Sequence, residues 1–109
     1  MKLKRINRLG KETTNVIKKG KRVRLDNLIM YYLPDEVHRI SVVAGKKVGK
    51  SVRRNKLKRW VKEIFRNEKE NLEKFAMVII LRVGAGDYKY NEILEKLNKL
   101  WKENKIKKQ

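Results

Sequence analysis

The chain contains no cysteine, one histidine, one proline and only 12 acidic residues against 31 Lys and Arg. Without cysteine there are no disulfides and no zinc–thiolate sites, and the composition suits a reducing cytosol. The lone histidine, His38 between Val37 and Arg39, has no second histidine to build an HxxxH metal site with, and it reads as a turn or strand residue. The acids are scattered: Asp26, Asp35 and Asp87 fall at turns, where they have backbone roles, and Glu68, Glu70 and Glu73 lie in a polar connector. No paired carboxylates, DxD, Walker A or GxGxxG pattern is present. GKKVGKS is superficially like a phosphate loop, but Gly45 to Gly49 is one residue short of GxxxxGKS, which argues against nucleotide hydrolysis. No apolar run reaches transmembrane length, and the stretch MKLKRINRLG lacks the apolar segment of a signal peptide, so a membrane role is not expected.

What the sequence has instead is positive charge, a formal +19 on 109 residues. A compact domain so charged repels itself and is best tolerated beside a polyanion. Hydrophobic residues make up 40%, enough for one core, so residues 1–109 read as a single domain with frayed ends at 1–8 and 103–109. The organising stretch is Ser41 to Phe65, SVVAGKKVGKSVRRNKLKRWVKEIF. It passes from an apolar strand, through a glycine- and lysine-rich turn, into a helix with Ser51 as the expected N-cap. Leu57, Trp60, Val61, Ile64 and Phe65 fall on one face at 100° per residue. Arg54, Asn55, Lys58, Arg59, Lys62 and Arg66 occupy much of the rest, with Arg53 and Lys56 at the borders. Like charges at i,i+4 destabilise a helix by roughly 0.2–0.5 kcal/mol per pair, and Glu63 is the only acid within the stretch. A solvated basic face is the plain alternative. A one-signed run that also carries an Asn favours contact with RNA or DNA.

In chain order, Lys11 to Lys19 predicts a short helix ended by Gly20, anchored by Val16 and Ile17. Lys18, Lys19, Lys21, Arg22 and Arg24 form a second basic cluster, and Val23 to Leu25 is a candidate for a further short strand. Leu28–Leu33 predicts a strand with Tyr31 and Tyr32 on opposite faces; one of them facing out would stack on an unpaired base, and sheet packing of both is the alternative. Pro34 and Asp35 end it, and Arg39–Ala44 is the next strand, close enough to pair with the first as an antiparallel hairpin. After the basic helix and a polar connector, the unbroken apolar run Phe75–Leu81 predicts a central strand covered on both faces, joined to Arg39–Ala44 by a parallel βαβ crossover. A loop with Gly84-Ala85-Gly86 as its flexible point leads to a last helix capped by Asn91, with Ile93, Leu94, Leu97, Leu100 and Trp101 as its stripe. The fold class is α+β: a two-layer α/β sandwich, about four strands in a mixed sheet with three helices.

The turn Lys46-Lys47-Val48-Gly49 and the helix element Arg54-Asn55-Lys56, continuing Leu57-Lys58-Arg59, resemble the protein subunit of bacterial ribonuclease P. Its signature is a KK-hydrophobic-G turn followed by an RNR-type helix, and the likeness extends in order from Arg8-Leu9 and Lys18-Lys19-Gly20 to the C-terminal helix. The resemblance implies a left-handed crossover, an exception to the usual right-handed rule. It implies an endoribonuclease that removes the 5′ leader of precursor tRNA, with catalysis by an RNA subunit, no catalytic or metal-binding residue in the protein, and Mg²⁺ held mainly by RNA. RNA-binding residues are then Lys46, Lys47, Arg53, Arg54, Asn55, Lys56, Lys58, Arg59, Lys62 and Arg66, and Thr13, Ile17 and Tyr31 line a cleft for the leader. The implied partners are the catalytic RNA and precursor tRNA, in the cytoplasm, with no stable protein partner required. Two departures stand out: Lys56 replaces the third-position Arg and loses its bidentate fork, and Thr13 and Ile17 stand where the family often has Phe, leaving stacking to Tyr31. The alternatives are a small ribosomal-type RNA-binding protein, a helix-turn-helix DNA binder, disfavoured by the strand that precedes the basic helix, and a stand-alone nuclease, disfavoured by the missing ligands.

Overall fold

The computed structural model describes the backbone at Asn7 and Arg8 and residues 13–108. The elements run β1 (Asn7–Arg8), α1 (Thr13–Lys19), β2 (Lys21–Leu25), β3 (Leu28–Pro34), β4 (Arg39–Ala44), α2 (Ser51–Glu68), β5 (Phe75–Leu81) and α3 (Tyr90–Glu103). The sequence expectation for residues 1–6, Leu9 to Glu12 and Gln109 lies outside the described residues.

The sheet order is β1-β4-β5-β3-β2, with β5 antiparallel to β3 and parallel to β4. The hairpin expected between β3 and β4 does not form. Phe75–Leu81 is apolar on both faces, and only the central position covers both. Asp35, just after β3, donates its N–H to the Lys74 carbonyl at 3.1 Å, so the connection passes the start of β5 before β4 begins on its other side. An Arg39–Asp35 ion pair at 3.2 Å braces that connection. The hairpin that does form is β2–β3, closed by Leu25 opposite Leu28. Asp26 takes the left-handed φ of 53° in its turn, a conformation Asp tolerates better than most residues. The Lys96 side chain hydrogen-bonds Asp26, tying this turn to α3 and holding the Asp26 carboxyl below the usual carboxylate range.

Strand alternation sorts the core into two layers. Leu28, Met30, Ile40, Met77, Ile79 and Leu81 point to one face, where Leu57, Val61, Ile64 and Phe65 of α2 and Ile93, Leu97, Leu100 and Trp101 of α3 bury them. On the opposite face Val16 of α1 packs on Ala76 and Val78, with Tyr31, Leu33 and Ile80 beside it. Val16 is the anchor of α1; Ile17, expected to share that role, points outward and is 37% exposed.

The helix ends differ from expectation. Lys50, not Ser51, precedes α2 as its N-cap, and Ser51 is the first helical residue. Lys89, not Asn91, occupies the N-cap of α3, where its N–H donates to Glu92 Oε1 at 3.0 Å. Gly84-Ala85-Gly86 is no free hinge, since Ala85 is fully buried. The tail after α3, expected to fray from Glu103 onward, is docked through residue 108. Ile106 is fully buried, Lys107 bridges Leu72, and Lys108 donates its N–H to the Asn71 carbonyl at 2.7 Å. A lone isoleucine in KENKIKKQ is easy to overlook, yet it belongs to the main buried core together with Trp101 and Leu72. Ile106→Ala is expected to lower the unfolding free energy by about 2–4 kcal/mol, as for a buried Ile elsewhere, measured by urea denaturation; an unchanged midpoint means that the tail does not contribute.

Candidate nucleic-acid interface

The turn before α2 is built to turn lysines outward. Lys46–Val48 forms a single 3-10 turn, closed by the Val48 N–H to the Gly45 carbonyl at 3.0 Å. Val48 is buried in the main core while Lys46 and Lys47 are exposed, so the anchor fixes the direction of both charges. Gly49 follows at φ 157° and ψ −175°, a region open essentially to glycine alone. Its carbonyl accepts the Arg54 Nε–H at 3.1 Å, which holds the half-buried Arg54 against the turn.

α2 then runs 18 residues, roughly 27 Å at 1.5 Å per residue. With one side sealed in the core, Asn55, Lys58, Arg59, Lys62, Glu63, Arg66 and Asn67 line a groove of about 650 Å³ along the other. Their spacing of three and four residues stacks them on one face, and five of the predicted contact residues, Asn55, Lys58, Arg59, Lys62 and Arg66, come together there. A groove whose charge is four cations against one carboxylate suits a chain of phosphates spaced along a backbone.

Arg53 and Lys56 stand apart from this groove. The Arg53 guanidinium donates to the Gly86 carbonyl through Nε and to the Tyr88 carbonyl at 2.7 Å, with Trp60 beneath it at 5.5 Å. Gly86 is required at that contact, because a Cβ on it meets the Val48 carbonyl oxygen at 2.1 Å. Arg53 therefore locks the β5–α3 loop onto the start of α2 and lies outside the groove lined by the other cations. Lys56 is exposed, lying 5.1 Å over the same Trp60 ring, which also meets Tyr90 edge-on at 5.8 Å. No sequence pattern distinguishes Arg53 from its neighbours; its partners are backbone carbonyls more than 30 positions away.

The second predicted region lies on the other sheet face. α1 packs over β3 and β5, leaving Thr13 and Tyr31 half-buried and Ile17 at the surface. Tyr32, on the α2–α3 side, is buried with its hydroxyl donating to Asn104 Oδ1 at 3.3 Å, so Tyr31 is the tyrosine left for this face. Pairing sets Arg22, Tyr31, Val78 and Ser41 in one row across the sheet, and the next row ends at Val43, 42% exposed. Ser41 and Val43 escaped the sequence reading, although the alternation of β4 already placed them opposite Ile40, Val42 and Ala44. His38 is structural: its Nε2 donates to the Leu72 carbonyl at 2.9 Å and its ring meets Phe65 edge-on. Among the described residues no three His, Cys, Asp or Glu side chains gather as metal ligands.

These features define a small basic α+β domain whose cationic crossover helix is set rigidly on a mixed sheet. A family model described as Ribonuclease P matches residues 3–105, and the chain belongs to that family, as its protein component. The Clostridium botulinum (strain Langeland) ribonuclease P protein component is 37% identical over 99 residues, covering 87% of this chain and 89% of that protein. That of Pseudomonas syringae pv. tomato is 43% identical over 65 residues; this match spans 59% of the chain and only about half, 49%, of the relative's length. Among solved structures, the Staphylococcus aureus RNase P protein superposes with a TM-score of 0.85 at 25% identity, covering 94% of this chain and 98% of that one. The Thermotoga maritima RNase P protein superposes at 0.80 with 31% identity, covering 92% and 97%.

Arg53→Ala is expected to cost about 1.5–3 kcal/mol of stability, the range for hydrogen bonds to a charged donor, whereas exposed Arg59→Ala stays within about 0.5 kcal/mol. Equal unfolding midpoints for the two variants in urea would show that Arg53 is not the loop's clamp.

Proposed function

We propose that this chain binds a catalytic RNA through the α2 groove and the Lys46–Lys47 turn, and that the resulting ribonucleoprotein cleaves the 5′ leader from precursor tRNA in the cytoplasm. The observation that carries the reading is the α2 groove, a nearly one-signed row fixed by a fully buried apolar stripe on the same helix. Arg54, Lys56, Lys58, Arg59, Lys62 and Arg66 neutralise phosphates of the RNA subunit, which releases condensed counterions and lowers the repulsion between two folded RNAs, while the uncharged Asn55 offers hydrogen bonds beside them. The charged groups of the groove are four cations and the single carboxylate of Glu63, a net positive charge that repels a divalent cation. Mg²⁺ is therefore held by RNA phosphates, and bond breaking belongs to the RNA partner. Among the described residues, no helix is long and apolar enough to cross a membrane.

The leader runs in the cleft between α1 and the sheet. Tyr31 offers a ring for one unpaired base, with Thr13 and Ile17 as its walls; neither is aromatic, so stacking there rests on Tyr31.

Three measurements test this reading. Cleavage of precursor tRNA by the transcribed catalytic RNA at low Mg²⁺ should be faster, or its substrate tighter, with the protein than without; equal rates and equal affinities overturn it. Lys58→Ala with Arg59→Ala should weaken RNA binding and lower the slope of log affinity against log salt by about 2, close to 0.9 per phosphate lost. Tyr31→Ala should weaken binding of leader-bearing tRNA roughly five- to tenfold, the low end of a base–aromatic stack, and leave mature tRNA unaffected; an equal loss for both places the leader elsewhere.

A further inference from the structure

A second concentration of charge sits where α3 ends. The Lys105 N–H donates to the Lys102 carbonyl at 3.3 Å and the Ile106 N–H to the Trp101 carbonyl at 2.8 Å, the pair of bonds that defines a Schellman motif. That motif normally gives its left-handed position to glycine. Here it holds Lys105, at φ 58°, a backbone strain that glycine avoids. The tail is pinned from its other side by Glu73 N–H on the Ile106 carbonyl and Lys108 N–H on the Asn71 carbonyl, each at 2.7 Å. The lysines therefore project from fixed backbone.

Lys102, Lys105, Lys107 and Lys108 line a cavity of about 470 Å³. Lys107 is engaged, donating to Asn98 Oδ1 at 3.2 Å and lying 4.0 Å from Glu68. Lys102, Lys105 and Lys108 are exposed and have no ion-pair partner among the described residues. The acids near them are Glu103, which pairs with Lys99 at 3.9 Å, and Asp35 and Glu73, which share an adjoining groove with Lys74, Lys105 and Lys108. A cation in the last turn complements the helix dipole, but that does not call for a lysine in a strained conformation beyond the cap. Because Lys107 reaches Glu68, the last residue of α2, the cluster lies past the Arg66–Asn67 end of the α2 groove.

We propose that Lys102, Lys105 and Lys108 form a second phosphate-docking patch for the catalytic RNA, continuing the contact made by α2 beyond that helix's C-terminus. This rests on the RNA-subunit reading above. Binding of the transcribed catalytic RNA is measured across a KCl series for wild type, for Lys102→Ala/Lys105→Ala/Lys108→Ala, for Lys105→Gly, and for the α2 variant Lys58→Ala/Arg59→Ala. The triple variant is expected to bind at least tenfold more weakly at low salt, with the salt slope reduced by about 2–3. Lys105→Gly is expected to lower that slope by about 1 while raising the Tm, a combination that a purely structural lysine does not give. A wild-type slope for the triple variant with a reduced slope for the α2 variant overturns the patch alone. Wild-type slopes for both overturn the RNA-subunit reading with it. Should the triple variant not fold, amine acylation of the wild-type protein decides: protection of these three lysines by the RNA supports the patch, and full reactivity overturns it.

Discussion

Everything on the basic side of this molecule depends on the burial of Leu57, Val61, Ile64 and Phe65. α2 carries a row of like charges that disfavours the helix when it is isolated. Each buried side chain of that size contributes about 1.5–3 kcal/mol, several times the penalty of one like-charge pair. The core stripe therefore outweighs the repulsion opposite it and leaves the cations in fixed positions. Because the helix is already formed, little backbone freedom is lost when phosphates arrive, and the repulsion stored in the free protein favours binding.

The Val48–Gly86–Arg53 cluster extends this rigidity to the N-terminal end of the crossover helix. Val48 anchors the lysine turn, Gly86 lets the β5–α3 loop touch it, and Arg53 bonds that loop from α2. One cation is used for architecture so that its neighbours can be held outward. The placement of Trp60 under both Arg53 and Lys56 follows the same logic, with the ring face giving each cation a resting site.

Much of this was legible beforehand. Periodicity gave the apolar stripes of α2 and α3, and the unbroken run Phe75–Leu81 announced a central strand, because those signals are local and strong. The grouping of Asn55, Lys58, Arg59, Lys62 and Arg66 followed from helical spacing alone. What was not legible depends on distant partners. β3 and β4 are near in sequence, yet each prefers β5, and nothing local says so. Arg53 looks like any other cation of its helix until the carbonyls of Gly86 and Tyr88 are in place. Ile106 is one apolar residue in a lysine-rich tail, too isolated for any periodic pattern, and Ser51 and Asn91 are good cap residues that fall one and two positions too late. On the other sheet face, the alternation of β4 sets Ser41 and Val43 opposite Ile40, Val42 and Ala44, but only the register of β4 on β5 brings Ser41 into one row with Tyr31.

The sheet order also constrains how the chain comes together. The strand at the centre is the last of the five to be synthesised: Leu28 must wait for Leu81, and Ala44 for that same residue on the other side. Until Phe75–Leu81 leaves the ribosome, β3 and β4 each keep an edge without its partner, and the apolar face of α2 has no completed floor to lie on. Such sequence-distant pairing slows folding relative to a helical bundle of this size. It also makes the nascent polypeptide all-or-none: a product truncated before residue 75 lacks the strand that joins the two halves of the sheet, and so cannot present the cationic helix in its native setting.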